Sequence, residues 1–105
     1  MTLSQRIAAL TRPDRAIDAE IAKATGMPTT IKIGHELLGV QTVPFRCLEY
    51  TSSIDAAISI VQPAMQEHVM REALTLAGQR GFIVGKFTEQ LARTICEVAM
   101  RERGL

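Results

Sequence analysis

Tryptophan is missing from this sequence, tyrosine occurs once, and aromatic residues together make up only 4% of it. A core of stacked rings is thereby excluded. Apolar packing falls instead to Ile, Leu, Val, Ala and Met, within an apolar share of 47%. The same scarcity removes the aromatic platform on which single-stranded nucleic acids are held. Cysteine is nearly absent as well. Cys47 and Cys96 are the only two; they lie on different predicted elements and form no disulfide framework, so they read as two buried thiols in a reducing compartment. An excess of either charge is missing too: twelve basic against eleven acidic side chains leave a formal +1. That balance gives no electrostatic footprint for nucleic acid or an anionic membrane. No window approaches the ~20 consecutive apolar residues of a membrane span, and Met-Thr-Leu-Ser-Gln-Arg opens the chain without a signal-like apolar run. A cytoplasmic protein with no membrane partner is the expectation.

What is there suffices for one domain over residues 1–105, long enough to bury a modest core without metal or disulfide. Leu3, Ile7 and Leu10 share a face of a short helix over 3–11. Pro13 and Asp14 suit a helical first turn, where a missing N–H is harmless and a carboxylate meets the positive end of the dipole. Ile17, Ile21 and Ala24 continue the apolar stripe, Gly26 ends it and Pro28 prevents resumption. The β-branched run Thr29–Ile33 predicts a strand, Gly34 to Gly39 a turn, and Val40–Val43 the returning strand stopped by Pro44. Phe45–Tyr50 is a third extended candidate.

The second half predicts helices over Ile54–Val61 and Met65–Ala77, the latter with Met65, Val69, Ala73 and Leu76 on one stripe. Phe82-Ile83-Val84, short, apolar and bounded by glycines, predicts a buried strand. Thr88 is the expected N-cap of a last helix whose face is Leu91, Ala92, Ile95, Val98 and Ala99. The order favours α+β: a small, mostly antiparallel sheet covered by helices.

No constellation names a reaction. His35 and His68 lie in unlike contexts, and neither belongs to a His-x-x-x-His or Cys-x-x-Cys pair, so both read as exposed side chains. Cys47 between Arg46 and Leu48 reads as a buried strand cysteine rather than a nucleophile. Asp14 and Asp18 stand one turn apart and Asp55 begins another helix; capping and solvation account for them better than a carboxylate pair. The glycines around 78–85 fit turns, with no phosphate loop among them. The five methionines read as adaptable core filling. In Glu49-Tyr-Thr-Ser-Ser-Ile-Asp55, Ser52 is the expected cap of the helix starting near Ile54, with Tyr50 packed from an extended segment. A competing reading makes Thr51, Ser52 and Ser53 an anion site.

Three patches together resemble the phage ABA sandwich domain family of small phage and prophage proteins. They are Pro13-Asp14-Arg15-Ala16-Ile17-Asp18-Ala19-Glu20-Ile21-Ala22, Tyr50-Thr51-Ser52-Ser53-Ile54-Asp55-Ala56-Ala57, and Leu91-Ala92-Arg93-Thr94-Ile95-Cys96-Glu97-Val98-Ala99-Met100-Arg101. The resemblance implies an α-β-α sandwich and transfers no catalytic, metal-binding or cofactor-binding residue. The chain departs from it between Met65 and Thr88, where relatives carry a β-rich, Trp-containing stretch. The expectation is an accessory protein in a bacterial host cell, without catalytic activity or cofactor, that binds an unknown protein or forms a homodimer. A nucleic-acid module built on Arg6, Arg12, Arg15, Lys23 and Lys32 is one rival. A small hydrolase using Cys47 or the Asp14–Asp18 region is the other.

Overall fold

The computed structural model describes residues 1–26, 30–35, 39–44 and 48–105, and for the two segments between 30 and 44 it describes backbone pairing alone. The elements are α1 (Leu3–Ala8), α2 (Arg15–Ala24), β1 (Thr30–His35), β2 (Gly39–Pro44), α3 (Ile54–Ser59), a 3₁₀ turn (Pro63–Met65), α4 (Gln66–Arg80) and α5 (Phe87–Glu102). β1 and β2 pair antiparallel, with Thr30 opposite Pro44 and His35 opposite Gly39.

This overturns the sandwich. The packed body among the described residues is helical, with no sheet as its middle layer, because α1, α3 and α4 all pack on α5 rather than on strands. From Leu91 to Met100 every residue of α5 is buried, which is the signature of a helix enclosed on all sides. Ile95, Val98 and Met100 meet Ile7 of α1, Ala57 of α3 and Val69 and Ala73 of α4 in one cluster. Full burial of each larger aliphatic stabilises by roughly 1.5–3 kcal/mol. Of the third extended candidate, Phe45–Cys47 lie outside the described residues, and Leu48–Tyr50 is not strand.

Capping fixes the ends. Thr2 and Gln5 form a reciprocal capping box at α1. Asp14 Oδ1 accepts from the N–H groups of Ala16 at 2.8 Å and Ile17 at 3.2 Å, starting α2. Gly26 ends that helix with φ +74°. At the far end of α5, Gly104 N–H donates to Arg101 O and Leu105 N–H to Met100 O, the paired bonds of a Schellman motif. Leu105 O then accepts from Ser4 N–H at 3.1 Å, tying that end to the start of α1.

Two caps differ from expectation. Ser53, not Ser52, caps α3, its hydroxyl accepting from Ala56 N–H at 3.3 Å, while Ser52 Oγ turns back to Glu49 O. α5 has no side-chain cap, and Thr88 sits inside it. Tyr50 is buried as expected, but from a turn rather than an extended segment.

Candidate interaction site

The connection between α4 and α5 contradicts its sequence reading most sharply. Phe82-Ile83-Val84 is not a buried strand: exposures are 47% for Phe82, 54% for Ile83 and 100% for Val84, with Phe87 beside them at 43%. Four large apolar side chains thus face outward within a few residues. The backbone beneath them is nonetheless pinned. Gln90 Nε2 donates to Gly81 O at 2.6 Å, and Gln90 Oε1 accepts from Ile83 N–H at 3.1 Å. Lys86 N–H closes the turn onto Ile83 O at 3.0 Å. Gly81 and Gly85 hold φ of +84° and +82°, a region that a side chain would strain. The Phe82 and Phe87 rings meet edge to face with centroids 4.7 Å apart.

A cavity of about 160 Å³ adjoins this loop, lined by Ile7, Leu10 and Thr11 from the α1 end, by Ile83, and by Arg93 and Glu97 of α5. Arg80 and Glu97 pair bidentately across it, Nη1 to Oε1 at 2.6 Å and Nη2 to Oε2 at 3.0 Å. That bond to Glu97 holds the Arg80 guanidinium above its ordinary pKa. Arg93 is 6% exposed, and no acceptor among the described residues reaches its buried Nη1. Burial pushes its pKa down, with Glu89 acting in the opposite sense.

The carboxylates that the sequence offered serve the fold. Asp18, 1% exposed, accepts from Thr51 N–H at 2.8 Å through Oδ1 and from Arg15 Nη1 at 2.9 Å through Oδ2. Thr51 Oγ1 accepts in turn from Asp14 N–H at 2.9 Å. The hydroxyl cluster at 51–53 is therefore committed to protein partners. Asp55 is exposed in the first turn of α3 and is not its cap. Cys96 is buried and donates to Tyr50 O at 3.2 Å; burial first, and the charge of Asp18 second, push its thiol pKa far up. Among the rival basic set, Arg6 is engaged by Glu20 and Arg15 by Asp18 and Leu48 O. The side chains of His35 and Lys32 lie outside the described residues.

His68 is exposed, as its sequence context predicts, and the structure gives it acidic neighbours. His68, Glu72 and Glu102 bring one ligand-capable atom each within 4.8 Å of one another at the α4–α5 seam. His68 Nε2 stands 3.5 Å from Glu72 and 3.7 Å from Glu102, while Glu72 also meets Arg101 at 3.5 Å. These are half-exposed polar groups, and exposed contacts of this kind contribute little individually. Spacing on α4 would have shown the His68–Glu72 pair; Glu102 needed the fold.

Among the described residues, no helix is long and apolar enough to cross a membrane. No protein-family model, no curated protein and no solved structure matches this chain.

Proposed function

We propose that this chain is a non-catalytic accessory protein, of the kind its resemblance to small phage and prophage proteins implies, that works by docking onto another protein through residues 82–87. One observation carries the proposal: four large apolar side chains are exposed on a backbone that Gln90 and two positive-φ glycines hold in place. Water contact at such a patch is costly, and clustered exposed apolar surface marks interaction sites. A pinned loop also loses little conformational entropy when it docks. The occupant is an apolar groove on a different protein rather than a second copy. Positions 81–87 carry Lys86 and no carboxylate, so loop-to-loop pairing of two copies would juxtapose cations.

A photo-crosslinking residue placed at position 84, at Leu74 or at Ala19 tests this in extracts of the producing cell. Leu74 is also apolar and 44% exposed, which makes it the control for mere stickiness. Discrete adducts to one protein from position 84 alone are expected. Equal adducts from all three positions, or adducts only between copies of the chain, would remove the reading.

A further inference from the structure

We propose that the cavity beside the loop is a carboxylate-binding pocket, centred on Arg93, that accepts an acidic side chain set beside an apolar one on the docking partner. The proposal rests on the loop being a docking site and names the chemistry that this site selects.

Three observations converge. Arg93 is buried on the enclosed helix α5, yet no acceptor among the described residues reaches its Nη1. A buried guanidinium nitrogen without an acceptor costs folding free energy, and such an unsatisfied donor calls for a partner. Glu97, the carboxylate of the lining, already gives both oxygens to Arg80, and Glu89, whose charge acts on Arg93, does not hydrogen-bond its Nη1. Two guanidinium groups against one carboxylate leave the lining with an excess positive charge. The walls supplied by Ile7, Leu10 and Ile83 are hydrocarbon, so the fitting ligand couples an anion to an apolar body. At about 160 Å³ the space is smaller than the ~300–1,000 Å³ of typical small-molecule sites, and suits a side chain better than a nucleotide. Ile83 belongs to both features, so a groove that receives the loop brings its own side chains to the cavity mouth.

The sequence conceals this. At helical spacing, Arg93 reads as the solvated flank of an amphipathic helix, and only the packing of three helices around α5 encloses it.

The test uses the isolated chain with 3-methylbutanoate as the probe and 3-methylbutanamide as its neutral twin, followed by heteronuclear NMR. Saturable shifts at the Arg93 Nε–H and at the Ile7, Leu10 and Ile83 methyl groups are expected with the carboxylate and not with the amide. Arg93→Gln should weaken binding roughly tenfold or more, the effect of losing a charge-assisted hydrogen bond. Should that variant fail to fold, Thr11→Glu at the exposed rim places a competing carboxylate and should weaken the probe as well. Inorganic phosphate and chloride form the third arm: equal competition by either would mean a general anion site, and would overturn the acidic side-chain assignment. Equal shifts with the amide, or silence at Arg93, would overturn the pocket itself. Val84→Asp separates the two proposals, since it should leave probe binding intact while abolishing crosslinking-defined partner capture. Probe binding alongside unchanged capture in Val84→Asp would sink the loop reading and, with it, the assignment of the pocket's ligand to a partner docked there, while the carboxylate pocket itself would stand.

Discussion

Gln90 donates its side-chain amide to Gly81 O at 2.6 Å, reaching back from the first turns of α5 to the end of α4. Its oxygen simultaneously receives Ile83 N–H, so one side chain engages two backbone groups of the turn. Gln90→Ala should therefore loosen the loop and barely touch the core. The expected loss of global stability is about 1 kcal/mol or less, because each exposed hydrogen bond nets little. Amide exchange at Ile83 should accelerate clearly while the amides of Ile95 and Val98 keep their protection. Uniform acceleration along α5 would show that Gln90 supports the helix rather than the loop.

The Asp18–Thr51 bond makes a sharper stability prediction. Asp18→Ala leaves the fully buried Thr51 N–H without its acceptor, a loss of roughly 1–3 kcal/mol. Urea denaturation reads this directly. A change below about 0.5 kcal/mol would mean that the bond to Asp18 is not what holds the 48–53 turn.

Ser52 and Ser53 differ in what they do, and alanine distinguishes them. Ser53→Ala removes the α3 cap and should cost roughly 0.5–2 kcal/mol. Ser52→Ala removes one exposed bond to Glu49 O and should stay within about 0.5 kcal/mol of the parent. The reverse ranking would restore Ser52 as the cap.

Cys96 gives a pH dependence. Its thiol is held well above the ordinary value of 9.0 in the folded state, chiefly by burial and then by Asp18. Below about 9 the group is neutral whether the chain is folded or not, and contributes nothing to the pH dependence. Above that value the unfolded chain ionises while the folded chain resists, so stability falls as pH rises, by at most about 1.4 kcal/mol per unit. Urea midpoints at pH 8 and pH 10 should diverge more for the parent than for Cys96→Ala. Equal slopes, or rapid labelling of the native thiol at pH 8, would show that Cys96 is accessible.

How far the sequence reveals this architecture depends on the source of each element. The α2 boundaries are local: Asp14 caps, Ile17 and Ile21 set the stripe, and Gly26 supplies a left-handed end, so neighbouring residues suffice to place them. Periodicity likewise found the buried Val69 and Ala73 of α4 and the Leu91, Ile95 and Val98 face of α5. The layering was not local. β-branched runs at 29–43 suggested a sheet at the centre, whereas the helices found their burial in α5. Phe82-Ile83-Val84 failed for a different reason. An apolar triplet between glycines has the same composition whether it is buried in its own fold or exposed on a turn. Arg93 and Glu97 were invisible as site residues because a charge on a helix reads as solvated until the neighbouring helices are placed.

Docking through residues 82–87 stands or falls on Val84. This side chain is fully exposed, so Val84→Asp should leave the melting transition unchanged and the chain's fold intact, within about 0.5 kcal/mol. Burying that carboxylate in an apolar groove is unfavourable by several kcal/mol unless it is paired. The decisive measurement is the affinity of parent and Val84→Asp chains for the protein that crosslinks at position 84. A loss of roughly a hundredfold or more is predicted, with Leu74→Asp binding as the parent does. Equal affinity of the Val84→Asp and parent chains would contradict the assignment of residues 82–87 as the docking surface.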